Sequence, residues 1–185
     1  MIDIELKRIS VDSLHDFLDY FDHRAFLDDE DWAGCYCQAY LNEPNDNGEE
    51  AWAEGVARQR ACDRVASGAM DGYLAYSDGR VVGWCSAGSS KLYPGVPESN
   101  EKLAVIVCLN IDPEMRRKGV AGQLMDLVIQ DLSDRGFEAV EATPHKNGDA
   151  SEKSFRGTLS MYQARGFEPL SDLGEHYVLM RKYLN

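Results

Sequence analysis

VIVCLNIDPEMRRKGVAGQLMDLV, residues Val105–Val128, is the stretch whose reading decides the fold. An unbroken apolar run from Leu103 to Leu109 suits a strand buried on both faces, and Val120, Leu124, Leu127 and Val128 then recur at helical spacing. Asp112-Pro113-Glu114 separates the two, because proline has no N–H for a sheet ladder and acidic residues suit turns. The stretch therefore reads as strand, short loop and helix.

The loop has a chemistry of its own. Three cations, Arg116, Arg117 and Lys118, stand directly before Gly119, and Val120 and Ala121 open the helix. A helix N-terminus carries unpaired N–H donors and a partial positive charge, and a glycine there lets a ligand approach the backbone closely. Cations and glycine at that place make an anion site suited to phosphate or pyrophosphate. Neither Gly-x-x-x-x-Gly-Lys nor Gly-x-Gly-x-x-Gly occurs, so the Walker and dinucleotide patterns do not describe it.

Working outward, Phe137–Ala142 reads as a further strand, and strand, helix, strand makes a crossover unit with 103–111 and 137–142 parallel neighbours. Upstream, Tyr73–Tyr76 and Val81–Cys85 flank Ser77-Asp78-Gly79-Arg80, the clearest hairpin signal in the chain. Gly88–Ser99 is rich in glycine, serine and proline and is expected as a surface loop. Glu49–Ala66 is expected to be helical, with Gly68 near its end. Ile2–Ile9 alternates as a half-buried first strand, followed by a helix capped by Ser10 or Asp12 with Val11, Leu14, Phe17, Leu18 and Phe21 on one face. Asp28–Gly48 is irregular, and its Trp32 and Tyr36 are candidate walls of an acceptor pocket. Pro144–Lys153 is polar and reads as a loop, and a last helix is expected over Ser154–Arg165 with Gly166 as a left-handed stop. Phe167 begins a final pair of extended segments ending in His176–Met180.

Composition narrows the classes. The 185 residues fit one domain, able to bury roughly 70% of the unfolded surface. No apolar run is long enough to span a bilayer, and the start, Met1-Ile2-Asp3-Ile4-Glu5, lacks the form of an export signal. Five cysteines at scattered positions do not resemble a disulfide framework and suit a reducing cytoplasm. Cys35-Tyr36-Cys37 has no second ligand pair at zinc spacing, so no metal is expected. A net charge of −13 argues against nucleic acid as partner. Residues 1–70 hold 16 acidic against 6 basic side chains, a charge of −10, while residues 71–185 carry −3. An acidic N-terminal part lining the acceptor side would draw a cationic amine.

A second motif joins the first. Arg-x-x-Gly-x-Ala after a strand ending in Ile111-Asp112-Pro113, together with Met161-Tyr162-Gln163-Ala164-Arg165-Gly166-Phe167, resembles the acyl-CoA pyrophosphate loop and the Tyr-x-x-x-Gly-Phe helix ending of the GCN5-related N-acetyltransferase (GNAT) family. The resemblance spans nearly the whole chain in element order. It implies an α/β (α+β) fold: a central mixed sheet, largely antiparallel with a parallel central pair, flanked by helices, in a single domain over residues 1–185.

The resemblance also implies a function. Acetyl-CoA would be the co-substrate and a primary amine the acceptor, attacking directly in a ternary complex. The strand Leu109, Asn110 and Ile111 would pair through its backbone with the pantetheine arm. Arg116, Arg117, Lys118, Gly119, Val120 and Ala121 would hold the diphosphate, and Tyr162 would be the catalytic proton donor to the departing thiolate. Small members of the family frequently form homodimers; no membrane partner is implied. Two positions depart from the pattern: Phe155 stands where many members have Asn, and Val105 where many have a strand glutamate acting as base. A base would then be absent, or act through water from Glu101 or another carboxylate. The missing glutamate also motivates an alternative, a non-catalytic acyl-CoA-binding sensor or interaction module.

Overall fold

A computed structural model describes residues 2–96, 100–146 and 155–184. The end of the loop expected over Gly88–Ser99 and most of the polar segment expected over Pro144–Lys153, with Ser154, lie outside the described residues.

Seven strands form one sheet: β1 (Glu5–Arg8), β2 (Tyr73–Ser77), β3 (Arg80–Ser89), β4 (Leu103–Ile111), β5 (Ala139–Ala142), β6 (Glu168–Leu173) and β7 (Tyr177–Tyr183). Their order is β1-β2-β3-β4-β5-β7-β6, and every pair is antiparallel except β4 with β5. This is the mixed sheet with a parallel central pair that the sequence leads one to expect. Helices cover both faces: α1 (Leu14–His23) and α2 (Val56–Ser67) on one, α3 (Val120–Asp134) on the other, with the short α4 (Leu159–Gln163) preceding β6.

The local causes are visible. Asp78 and Gly79 both take positive φ, +51° and +74°, the geometry of a tight hairpin turn whose twist matches its strands. Helix α3 presents Val120, Leu124, Met125, Val128 and Leu132 to the sheet, where they are buried with Ala104, Ile106 and Val140. On the opposite face Phe17, Phe21 and Trp84 pack edge to face, and Tyr36 stacks on Phe21 at 5.6 Å.

Several boundaries differ from expectation. Helix α1 starts at Leu14 with Ser13 as its N-cap residue, not Ser10 or Asp12, and Val11 is exposed. Helix α2 starts at Val56: Glu49–Trp52 forms a separate 3₁₀ turn, and Gly55 at φ +79° breaks the path between them. The last helix is only Leu159–Gln163, because Thr158 caps it through Oγ1, 3.1 Å from the Met161 N–H. Gly166 stops the turn at φ +77°, as expected. The segment Asp28–Gly48 carries three short 3₁₀ turns.

Strand β4 positions the site. It pairs with β5 only over Leu103–Ile106 against Ala139–Ala142. The register with β3 jumps from Ser86 opposite Cys108 to Ala87 opposite Ile106, so Val107 is an extra residue, a β-bulge that bends the strand. From Val107 to Ile111 the β5 side of β4 is open to other partners.

Candidate active site

A cleft of about 340 Å³ lies beside the open part of β4, lined by Leu109, Ile111, Arg117, Gly119, Val120 and Ala121 among others. Its floor is the start of α3. Gly119 is the N-cap at φ +86°, a left-handed conformation that L side chains rarely adopt. The first helical bond runs from Gln123 N to Gly119 O, so the N–H groups of Val120, Ala121 and Gly122 precede the ladder and are donors for an anion.

The expected cations do not behave alike. Arg117, at φ +59°, is exposed and lines the cleft. Arg116 also lines it, yet its guanidinium holds Asp28 at 2.6 and 3.2 Å and its Nε donates to the Ile111 carbonyl, so it braces the loop. Lys118 is exposed and is not among the lining residues. Asn110 turns its side chain away: it accepts from the Tyr20 hydroxyl at 2.5 Å and donates to the Ala25 carbonyl, so only its backbone faces the open edge.

The segment after the undescribed residues crosses this edge. The Leu109 N–H, the donor expected to meet a ligand arm, gives its hydrogen bond to the Phe155 carbonyl at 2.6 Å. Phe155 has φ +50°, and its ring packs against Phe26 and Trp32. The next carbonyl, that of Arg156, accepts from the Tyr162 hydroxyl at 3.0 Å. Tyr162 is fully buried, edge-on to Phe167. Burial raises its hydroxyl above the ordinary tyrosine range, so it keeps its proton throughout neutral and mildly alkaline pH.

On the other side of this crossing lies a second cleft of about 540 Å³, bordered by Val105–Val107, Tyr40, Tyr93, Glu141 and Arg156. Glu141 is 4% exposed and is the register partner of Val105 across the parallel ladder. Arg181, its partner on β7, bonds it through Nε at 2.8 Å and Nη2 at 2.5 Å, both to Oε1, which leaves Oε2 outside the pair. The β4 position that resembles the family's strand glutamate is Val105, and a buried carboxylate, Glu141, stands beside it on β5. The available signal was a glutamate, Glu141, inside an otherwise apolar strand segment, read with the parallel pairing.

Glu101 does not reach either cleft. It is exposed and paired with Lys91 at 2.9 Å, a hydrogen bond that lowers its carboxyl below the usual range. Tyr36 is 8% exposed and its hydroxyl donates to Asp22, so it chiefly anchors the loop. With Trp32 it borders a third cleft, which meets the second at Ala39 and Asn47. Among the described residues no group of three His, Cys, Asp or Glu could hold a metal ion. No described helix is long and apolar enough to cross a membrane. Burial pushes the thiols of Cys37 and Cys85 up, which makes them poor nucleophiles.

The family model for the acetyltransferase (GNAT) family matches residues 29–167. No curated protein matches by sequence. Solved structures with the same fold include PaiA N-acetyltransferase from Thermoplasma acidophilum in complex with coenzyme A, at 16% identity and TM-score 0.60 over 98% of this chain and 99% of that one. Ribosomal-protein-alanine N-acetyltransferase from Brucella melitensis is similar at 15% identity and TM-score 0.58, over 97% and 99% of the two chains. The ribosomal-protein-S18-alanine N-acetyltransferase from Escherichia coli gives 12% and 0.58, over 98% and 94%.

Proposed function

The chain belongs to the GNAT acetyltransferase family and is an acyl-CoA-dependent acetyltransferase, and on that premise we propose that it moves the acetyl group of acetyl-CoA to a primary amine by direct attack. The observation that carries this reading is the parting of β4 from β5 beyond Ile106 and Ala142, which leaves an open backbone edge between the α3 N-terminus and the cleft holding Glu141.

The roles follow from chemistry. The N–H groups of Val120, Ala121 and Gly122, with Arg117, hold the diphosphate, and Gly119 keeps the approach open. Arg116 tightens the loop through Asp28. Leu109 and Ile111 offer their backbone to the pantetheine arm, which requires the Phe155 carbonyl to release the Leu109 N–H. Glu141 Oε2 orients the incoming amine and takes its proton, directly or through water. As the nitrogen bonds the thioester carbon and the carbon–sulfur bond breaks, the Tyr162 hydroxyl donates a hydrogen bond to the departing thiolate, which takes its proton from solvent. A tyrosine raised by burial is a weak proton source, but it keeps its hydrogen at working pH and is therefore always available as a hydrogen-bond donor. The raised buried thiols favour direct transfer over an acyl-cysteine route.

Calorimetric titration with acetyl-CoA, followed by a thiol-release screen over diverse amines, tests the proposal. Saturable binding with release for some amine is expected. Binding without release for any acceptor would instead favour the sensor reading.

A further inference from the structure

Arg156 borders the acceptor cleft, and the transfer chemistry does not use its guanidinium. Its guanidinium is fixed from three sides: Nη1 donates to Thr143 Oγ1 at 2.9 Å, and the rings of Tyr177 and Tyr40 lie 4.5 and 5.2 Å away. Such a cation has lost part of its hydration and its rotamer freedom, so it gains from an anionic partner at little further entropic cost.

Among the described residues no carboxylate pairs with it. In a chain with 32 acidic and 19 basic residues, several other partly buried arginines do have acids: Arg116 with Asp28, Arg165 with Asp126, Arg135 with Asp71 and Arg181 with Glu141, while Arg64 instead meets the Gln38 amide oxygen. Among the described residues the cleft's lining includes one acidic side chain, Glu141, already half engaged by Arg181. The described residues of 1–70 that line this cleft, Ala39, Tyr40, Asn42, Pro44 and Asn47, carry no charge.

We propose that the acceptor is a small primary amine that also bears a carboxylate, an amino-acid-like zwitterion, with Arg156 as the group that binds the carboxylate. The complementarity is two-ended: an ammonium faces Glu141 and a carboxylate faces the guanidinium fork. Both groups border the same cleft, and the carbonyl of Arg156 receives the Tyr162 hydroxyl, so one residue touches the proposed catalytic tyrosine and carries the anion subsite. The inference rests on the transferase reading above and names its substrate class.

The test compares matched acceptors: the common L-amino acids and β-alanine, their carboxamides, and the corresponding decarboxylated amines. Wild-type protein is expected to prefer an acid over its amide by roughly 10- to 100-fold in kcat/KM, the size of a charge-assisted pair. In Arg156→Gln that ratio is expected to fall to near one through KM for the acid, with KM for acetyl-CoA unmoved, and Arg156→Lys is expected to restore part of it. A merely structural arginine would lower all acceptors alike. The wild-type ratio alone decides the matter if the variants fail to fold. Equal rates on acids and amides, a ratio unchanged in Arg156→Gln, or bound coenzyme with no carboxylate-bearing amine acetylated would each overturn the inference while leaving coenzyme binding intact. Absence of acetyl-CoA binding would instead remove the transferase reading beneath it.

Discussion

Replacing Tyr162 by Phe removes one oxygen from a site with no exposed surface. In the structure that hydroxyl donates at 3.0 Å to the neutral carbonyl of Arg156, a bond contributing about 1 kcal/mol, so the variant is expected to lose about 1–2 kcal/mol of stability once the carbonyl is left without its partner. During transfer the same hydrogen faces a developing thiolate, and a hydrogen bond to a charged group contributes about 1.5–3 kcal/mol. At about 1.4 kcal/mol per decade, turnover should fall roughly 10- to 150-fold. Because the charge is absent before the carbon–sulfur bond breaks, acetyl-CoA affinity should change little. Thiol-release kinetics at saturating amine, calorimetric titration of the coenzyme and urea unfolding measure the three quantities separately. A turnover within about twofold of wild type, in a folded variant that still saturates with coenzyme, would refute the role given to Tyr162.

Other consequences follow from the same geometry. Gly119→Val places a β-branched residue at φ +86° and crowds the α3 N–H groups, so coenzyme affinity should drop at least roughly tenfold by calorimetry, and unchanged affinity would remove the α3 N-terminus from the site. Glu141→Gln should lower kcat/KM roughly 10- to 1000-fold near neutral pH, with the deficit shrinking at alkaline pH as the amine deprotonates unaided; a deficit constant with pH would deny Glu141 the proton-accepting role. Tyr20, Tyr93 and Tyr162 are raised by burial, so above pH about 10 the unfolded chain loses protons that the folded chain keeps. Stability should therefore be fully present below that pH and decline above it, by up to about 1.4 kcal/mol per pH unit for each such tyrosine, in chemical denaturation series from pH 8 to 11.

What the sequence reveals and what it hides separate along physical lines. The hairpin at Asp78-Gly79, the β4-to-α3 unit and the stop at Gly166 are legible because each depends on a local conformational preference, positive φ or apolar period, that the residues carry with them. The GNAT resemblance was legible from Arg116–Ala121 and Tyr162–Phe167, two short motifs far apart in the chain. The break at Gly55 was hidden because an Ala- and Glu-rich run reads as one helix unless the glycine's left-handed turn is known. The pairing of Arg116 with Asp28, 88 residues away, could not be read from the basic triplet. Likewise the Phe155 carbonyl on Leu109, and the carboxylate of Glu141 beside Val105, are products of strand register and chain crossing. A reading confined to β4 finds only valine.

The central claim is direct acetyl transfer at the open edge of β4, and isotope tracing tests it most simply. The purified chain is mixed with acetyl-CoA labelled in the acetyl carbonyl and with the amine giving the fastest thiol release, and the label is followed by mass spectrometry. The account predicts one labelled N-acetyl amine for each thiol released and no label on the protein at any time. Label held on a cysteine before it reaches the amine, or coenzyme bound with no label transferred, would contradict it.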